Sequence, residues 1–137
     1  MRSVVLSIAT RYLLPLLAVF ALFLLVRGHE EPGGGFAAAL VLSAAIGFYG
    51  LADGEEAIRQ LVPMPRVAVA SGLIVALVAG GWPVLLGGVF FEGIWLPFEV
   101  PIIGGVQLGT PVLFDVGICL VATGAVVEIL VSLLGDE

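Results

Sequence analysis

This chain of 137 residues is 61% hydrophobic and has a mean hydropathy of +1.22, which excludes a small soluble domain, because such domains leave much of their surface in water. Eleven acidic residues against five arginines and no lysine give a net charge of −6, which excludes the basic surface that nucleic acid requires. A single cysteine, Cys119, excludes a framework of disulfides. The composition therefore predicts an integral membrane protein.

Four apolar runs are long enough to cross the hydrocarbon core of a bilayer as helices, which takes about 20 residues each. They cover residues 4–26, 36–52, 67–91 and 111–134. The first run is longer than the apolar core of a secretory signal peptide and ends at Arg27 without a small-residue cleavage site, so we interpret it as a transmembrane helix. We predict an all-α integral membrane protein in which residues 1–137 form a single transmembrane domain.

The arginines predict the orientation of these spans. Arg2 and Arg11 lie near the start of the first span. Arg59 and Arg66 lie between the second and third spans and therefore on the same side of the membrane, whereas Arg27 lies on the opposite side. By the positive-inside rule, the N- and C-termini are predicted to be cytoplasmic.

The link over residues 52–66 predicts a short surface helix. Asp53 is a candidate N-cap and Glu56 follows three positions later, which is the spacing of a capping box. Pro63 and Pro65 end the helical pattern. A simple solvated connector is the alternative interpretation.

The link over residues 91–109 predicts a short hairpin or paired extended segment between the third and fourth spans. It combines aromatic and β-branched residues with prolines and with Gly104 and Gly105, which favour a tight turn. Trp95 and Phe98 are expected at the level of the lipid headgroups, where aromatic side chains are enriched.

The sequence offers no constellation for covalent or metal chemistry. One histidine and one cysteine supply neither a nucleophile–base pair nor a set of metal ligands. His29 precedes two glutamates on a loop, without a second imidazole. We therefore expect no enzyme activity, no catalytic residue, no metal and no cofactor.

Ionisable side chains at membrane depth are costly and therefore mark candidate functional positions. Arg11 lies about two turns inside the first span and Glu128 about two turns from the end of the fourth, so we predict a structural ion pair between them. Asp115 lies about one turn inside the fourth span. Thr110 is its predicted N-cap and Pro111 its first helical residue.

Arg27 and His29 lie at the same predicted membrane level as Asp115. Carboxylates and imidazoles have tunable pKa values, so Asp115 and His29 are candidates for ion or proton handling. The structural alternative is that these charges neutralise one another and fix the register of the helices.

Two stretches of the chain resemble signatures of one known family. Residues 27–36, RGHEEPGGGF, resemble the R-G-H-x-x-P-G-G-G-F signature of the B subunit of multi-subunit Na+/H+ (cation/proton) antiporters, the Mrp or Mnh type. Residues 109–124, GTPVLFDVGICLVATG, resemble the family's G-T-P-x-L-F-D-x-G stretch before the last helix. The resemblance covers essentially the whole chain. The motif residues that become candidates for an ion path or its border are Arg27, His29, Pro32, Gly33, Gly34, Gly35, Phe36, Thr110, Pro111, Phe114 and Asp115.

The sequence departs from the family pattern at three places. Glu30 stands where asparagine is usual, residues 37–39 are alanines where the family prefers glycines, and Cys119 stands where an aromatic residue is common. These departures bear on the charge of the loop and on helix packing.

The resemblance implies a non-catalytic membrane subunit, needed for assembly, of a complex in the cell membrane that exchanges protons for sodium or another monovalent cation. Its implied partners are the lipid bilayer, Na+ and H+, and other membrane subunits that include a large antiporter-like subunit. The same module also occurs in membrane-bound hydrogenases and other redox-driven ion pumps related to complex I. That alternative stays open, because the redox centres would lie in other chains.

The glycine-rich loop has a physical interpretation within this family. Pro32 and the glycines let the chain reverse close to a neighbouring backbone, and Phe36 anchors the start of the second helix. Arg27 and His29 are expected to reach a carboxylate, either Asp115 or one on a partner subunit. A plain interhelix turn is the structural alternative.

Two other classes of protein fit the size of the chain. A small four-helix drug exporter usually has a carboxylate in its first span, whereas here the first span carries Arg11 and no acid. A purely structural scaffold protein is the other alternative, since every residue above could serve packing.

Overall fold

The computed structural model describes residues 3–28, 33–100 and 106–135, with only the backbone described at 97–100 and 106–107. Four of its helices are long and apolar enough to cross a membrane, by length and composition. The elements in chain order are α1 (Val4–Arg27), α2 (Gly35–Asp53), α3 (Glu55–Leu61), α4 (Pro65–Leu85), β1 (Trp95–Val100), β2 (Val106–Gly109) and α5 (Thr110–Gly135). This architecture confirms the predicted all-α fold with a hairpin before the last helix.

The four long helices lie side by side in the order α1, α2, α5, α4. The helices α2 and α5 form the centre and run parallel, because the start of α2 at Gly35 lies against Asp115 and its Gly50 lies beside Leu134. The helices α1 and α4 therefore lie at opposite edges of the bundle.

Small residues let the helices approach closely. A Cβ atom added at Gly117 of α5 would lie 2.7 Å from the backbone nitrogen of Ala76 in α4, and one added at Gly124 would lie 2.9 Å from the carbonyl oxygen of Pro65. Without a hydrophobic driving force inside lipid, such backbone contacts are a main source of helix association. At such contacts there is no space for a larger side chain, so a substitution there would push the helices apart.

A compact apolar cluster lies where α3 packs under the bundle. Ile46, Ile58, Val127 and Val131 are buried together, and Ile58 fits against Gly50. In contrast, α1 buries only Thr10 and Ala21, so most of its large apolar side chains face outward. That outward surface is the one expected of a helix in contact with lipid or another membrane subunit.

The third long helix ends earlier than predicted, at Leu85 instead of residue 91. Gly87 adopts φ +84, and the backbone nitrogens of Gly87 and Gly88 bond to the carbonyls of Val84 and Pro83. A left-handed glycine with these backward bonds is a common helix C-terminus. The Gly80–Pro83 stretch lies inside the helix.

The short helix α3 begins one residue later than the capping-box pattern implied. Its N-cap is Gly54, without a side-chain cap, and Asp53 is the last residue of α2. The hairpin pairs Trp95 with Gly109 in antiparallel register, with an irregularity between Trp95 and Glu99. The predicted turn at Gly104 and Gly105 and the side chain of Phe98 lie outside the described residues.

Candidate functional site

The two ends of the bundle differ in chemistry. The hairpin end carries the last turn of α1, the start of α2, the β-hairpin and the start of α5. The terminal end carries the start of α1, the end of α2, α3, the start of α4 and the end of α5. The described residues of the first signature motif and the beginning of the second, from Gly109 to Asp115, lie at the hairpin end.

The two motifs meet directly, at a contact that we call the motif junction: Gly34, Gly35 and Asp115. A Cβ atom added at Gly35 would lie 2.0 Å from the carbonyl oxygen of Asp115, so only glycine fits against this backbone. A Cβ atom at Gly34 would lie 3.7 Å from both carboxylate oxygens of Asp115. The glycine-rich loop thus positions the first turn of α2 against the aspartate of α5.

The conformation of Gly34 makes this contact possible. It is the N-cap of α2 with φ +94, a region that favours glycine, and its backbone nitrogen donates to the carbonyl of Leu24 in α1 at 3.2 Å. The loop is therefore tied to α1 on one side and to Asp115 on the other. This confirms close backbone approach at the glycines, and the neighbour is within the same chain.

The half-buried carboxylate of Asp115 lies beside the N-terminus of α2, which has no side-chain cap. The N–H groups in the first turn of a helix carry a partial positive charge, which favours an anionic carboxylate there. The side chain of Asp115 therefore lies at the positive end of the α2 dipole.

A small cavity of about 210 Å³ opens beside Asp115. Its wall is formed by Ala79 and Gly80 of α4, by Phe91, and by Thr110, Pro111 and Phe114 of α5. The cavity thus combines one carboxylate and one hydroxyl with an otherwise apolar wall. This composition suits a small hydrated cation or a water molecule better than an organic ligand.

Phe91 lines this cavity, and the sequence pattern did not single it out. It adopts φ +64, its nitrogen donates to the carbonyl of Gly80 at 3.0 Å, and its ring lies edge-on to Phe114 at 5.3 Å. Gly80 leaves room for this ring, since a Cβ atom there would lie 2.8 Å from it. A left-handed aromatic residue cannot be read from the sequence pattern.

Thr110 has a different role from the predicted one. It is the first residue of α5, and its hydroxyl accepts a bond from the nitrogen of Ile94 at 3.0 Å. Its own nitrogen donates to the carbonyl of Ile94 at 2.9 Å. The prediction of Thr110 as N-cap is therefore wrong, because the side chain fastens the hairpin to α5.

Among the remaining motif residues, the structure describes Arg27 and Phe36. The Arg27 guanidinium lies over the ring of Phe23, 5.4 Å from its centroid. The side chain of Phe36 is 61% exposed, so most of its surface is not packed within the bundle. His29 and Pro32 lie outside the described residues, so their approach to Asp115 stays a prediction.

The predicted pair between Arg11 and Glu128 is replaced by two other pairs at the terminal end. Arg11 Nε lies 3.4 Å from Asp53 Oδ2, and Arg66 Nε lies 2.6 Å from Glu128 Oε1. The reason is the order of the helices: α1 packs along α2, while α5 packs along α4. Within the described ranges, no group of three or more histidine, cysteine, aspartate and glutamate residues could hold a metal ion.

Comparisons with known proteins agree with this architecture. Residues 5–128 match a family described as a domain related to the MnhB subunit of Na+/H+ antiporter. The chain is 32% identical over 136 residues to the B subunit of the Na+/H+ antiporter of Bacillus subtilis strain 168, covering 98% of this chain and 94% of that relative. It is 30% identical to the putative antiporter subunit mnhB2 of Staphylococcus aureus strain Newman, covering 98% of this chain and 96% of that relative.

A solved structure shares the fold. It is the Mrp complex from Dietzia sp. DQ12-45-1b, with a TM-score of 0.84 and 35% sequence identity. The match covers 98% of this chain but 14% of the solved chain, so the matching fold is a small part of a much longer polypeptide there.

Proposed function

The chain belongs to the family of MnhB-related subunits of Na+/H+ antiporters, and from this premise we propose that it is a non-catalytic, single-domain membrane subunit of a multi-subunit antiporter. The observation that carries this proposal is the motif junction, where Gly34 and Gly35 lie against Asp115. Two sequence motifs separated by more than 70 residues converge there on one contact. Such a contact fixes the relative position of α2 and α5 in the assembled complex.

The chain contributes one wall of an ion path, at the hairpin end. Asp115 lies about one turn inside α5, beside the cavity of about 210 Å³ and the N-terminus of α2. At membrane depth, the carboxylate of Asp115 is a site that attracts a cation or a proton. The positive end of the α2 dipole lowers the cost of burying it there. One carboxylate is too little for a complete path, so a partner subunit supplies the rest.

The partners are other membrane subunits, including a large antiporter-like one. The outward apolar surface of α1 and the exposed ring of Phe36 provide area for such contacts. In the Dietzia Mrp complex the matching fold belongs to a much longer chain. That arrangement supports a position of this chain beside further membrane-spanning segments.

Both termini lie on the cytoplasmic side of the cell membrane in this proposal. Arg11, Arg59 and Arg66 lie at the terminal end of the bundle, whereas Arg27 lies at the hairpin end. An excess of arginine marks the cytoplasmic side. The hairpin end, with the motif junction, then faces outward.

Purification of a tagged copy from its own membrane in mild detergent, followed by mass spectrometry, tests this assignment. We expect recovery with other antiporter-type membrane subunits. Recovery with iron–sulfur or hydrogenase proteins would move the chain into a redox-driven pump. A folded chain recovered alone would contradict the role of a subunit.

A further inference from the structure

An apolar groove runs along the bundle between the two edge helices, in the half nearer the terminal end. It has a volume of about 450 Å³. Its lining includes Leu14 and Ala18 of α1, Leu42 and Ile46 of α2, Ala68 of α4 and Leu120 of α5. The helices α1 and α4 form its sides, because the α2–α5 pair keeps them apart.

A second, charged cavity of about 340 Å³ lies at the terminal end of the bundle, and we call it the arginine cavity. Its charged lining residues are Arg59, Arg66 and Glu128, and the carboxylate of Glu55 pairs with Arg59 beside it. The side chain of Arg66 is 87% exposed and that of Arg59 is 51% exposed. A guanidinium has five N–H donors, and the ion pairs of Arg59 with Glu55 and of Arg66 with Glu128 are made through the Nε donor.

The groove and the arginine cavity are neighbours. Leu61 and Val62 line the groove, and the next residue, Pro63, lines the cavity. Along α5, Gly124 lines the groove and Glu128, one helical turn further, lines the cavity. An elongated molecule could therefore occupy both.

We propose that this pair of sites binds one anionic phospholipid, with an acyl chain in the apolar groove and the phosphate in the arginine cavity. The depth fits, because the nine residues from Cys119 in the groove to Glu128 in the cavity rise by about 14 Å, about half of a hydrocarbon core of about 30 Å. The site thus spans one leaflet. Basic pockets between transmembrane helices are a known way to recognise anionic headgroups.

The dimensions favour a lipid tail over a helix of another subunit. A helix of about 10 Å diameter rises about 5.4 Å per turn, so the groove volume corresponds to about one turn of it. A single extended hydrocarbon chain needs a narrow apolar slot, whereas a helix needs a broad face. The exposed guanidinium groups of Arg59 and Arg66 at the mouth of the slot also have further N–H donors for a phosphate.

The test uses the chain purified from its own membrane with whatever subunits accompany it. After removal of lipid, the sample receives phosphatidylglycerol or phosphatidylcholine with the same acyl chains, and native mass spectrometry counts the bound lipid. We expect phosphatidylglycerol to occupy the protein at least fivefold more than phosphatidylcholine. Equal occupancy by the two lipids would overturn the proposal.

Two pairs of variants assign the binding to this site. Combined Arg59→Gln and Arg66→Gln should lower phosphatidylglycerol occupancy at least fivefold, whereas Arg11→Gln, which removes a charge at the same end outside both cavities, should change it less than twofold. Ala68→Leu should fill the groove and lower occupancy as well, whereas Ala70→Leu on the exposed side of α4 should not.

Three results would contradict the proposal. Equal occupancy in each variant and its control would place any bound lipid elsewhere. If inorganic phosphate raised the unfolding temperature of the protein as much as phosphatidylglycerol does, and Ala68→Leu had no effect, the site would bind an anion without a lipid tail. A crosslink from position 68 to another subunit in the native membrane would show that protein fills the groove.

Discussion

The hairpin end and the terminal end of this bundle differ in the charged contacts between their helices. At the hairpin end, α2 meets α5 through Gly35 and the backbone of Asp115. The terminal end has a close backbone contact of its own, at Gly124, and in addition arginines join helices there through side chains, in the pairs Arg11–Asp53 and Arg66–Glu128. The side chains of these two arginines are mostly exposed.

This difference predicts where substitutions are costly. A backbone contact has no flexible atoms that could move aside, so one added methyl group forces two helices apart. An exposed ion pair contributes little, because water screens it and two long side chains must be ordered. The hairpin end should therefore be sensitive to small changes in shape, and the terminal end should tolerate loss of charge.

The largest effect is expected for Gly35→Ala. The new Cβ atom would lie 2.0 Å from the carbonyl oxygen of Asp115, so α2 cannot keep its place against α5. We expect loss of the assembled complex and of Na+/H+ antiport in membrane vesicles. The matched control is Gly47→Ala on the same helix, whose Cβ atom would meet Leu130 at an ordinary 3.6 Å. Similar complex yields from the two variants would refute the importance of the motif junction.

Asp115→Asn separates the charge at the hairpin end from its shape. Because asparagine keeps the size of the side chain, the complex should assemble in normal amount while antiport falls at least tenfold. The measurement is antiport in vesicles, normalised to the amount of complex. Glu92→Gln is the control. Glu92 lies at the same end outside the cavity, and its carboxylate accepts a hydrogen bond from the backbone nitrogen of Val89 at 2.9 Å. Full antiport in Asp115→Asn would show that antiport does not need the charge of Asp115, and that the residue serves packing only.

Phe91→Ala should have a smaller effect, on stability. The ring of Phe91 lies edge-on to both Phe90 and Phe114, and each aromatic pair contributes about 1 kcal/mol. Because Phe90 is about as exposed as Phe91 but belongs to one pair, we expect Phe91→Ala to lower the free energy of unfolding by about 1 kcal/mol more than Phe90→Ala does. Thermal unfolding of the purified protein provides the comparison. Equal losses would mean that the pair of Phe91 with Phe114 adds nothing to stability.

The smallest effect is expected at the pair of Arg11 with Asp53. The arginine side chain is 66% exposed, so a double-mutant cycle with Arg11→Gln and Asp53→Asn should give a coupling of about 0.2–1 kcal/mol. High salt should reduce it further. A coupling several times larger would show that the terminal end is held as firmly as the hairpin end.

Much of the fold follows from the sequence because lipid imposes a simple length rule. The runs that begin near Val4 and Thr110 could become helices without any knowledge of their neighbours. The hairpin followed from aromatic and β-branched residues around a turn signal. The two motifs also indicated the end of the bundle where the candidate site lies.

Features that depend on which helices are neighbours could not be predicted. The sequence predicts Arg11 and Glu128 at similar depths, yet α1 packs mainly on α2 and α5 packs mainly on α4, so each residue pairs with another partner. The end of α4 depends on the left-handed conformation of Gly87, and the cavity depends on that of Phe91. Such conformations are set by tertiary contacts, which the pattern of apolar residues does not encode.

The most direct test of the central claim is Na+-dependent proton movement in membrane vesicles from cells that lack this chain. We predict that antiport disappears in those vesicles, returns with the wild-type chain and with Gly47→Ala, and does not return with Gly35→Ala. Undiminished antiport in the absence of the chain would contradict its role as a required component of an antiporter.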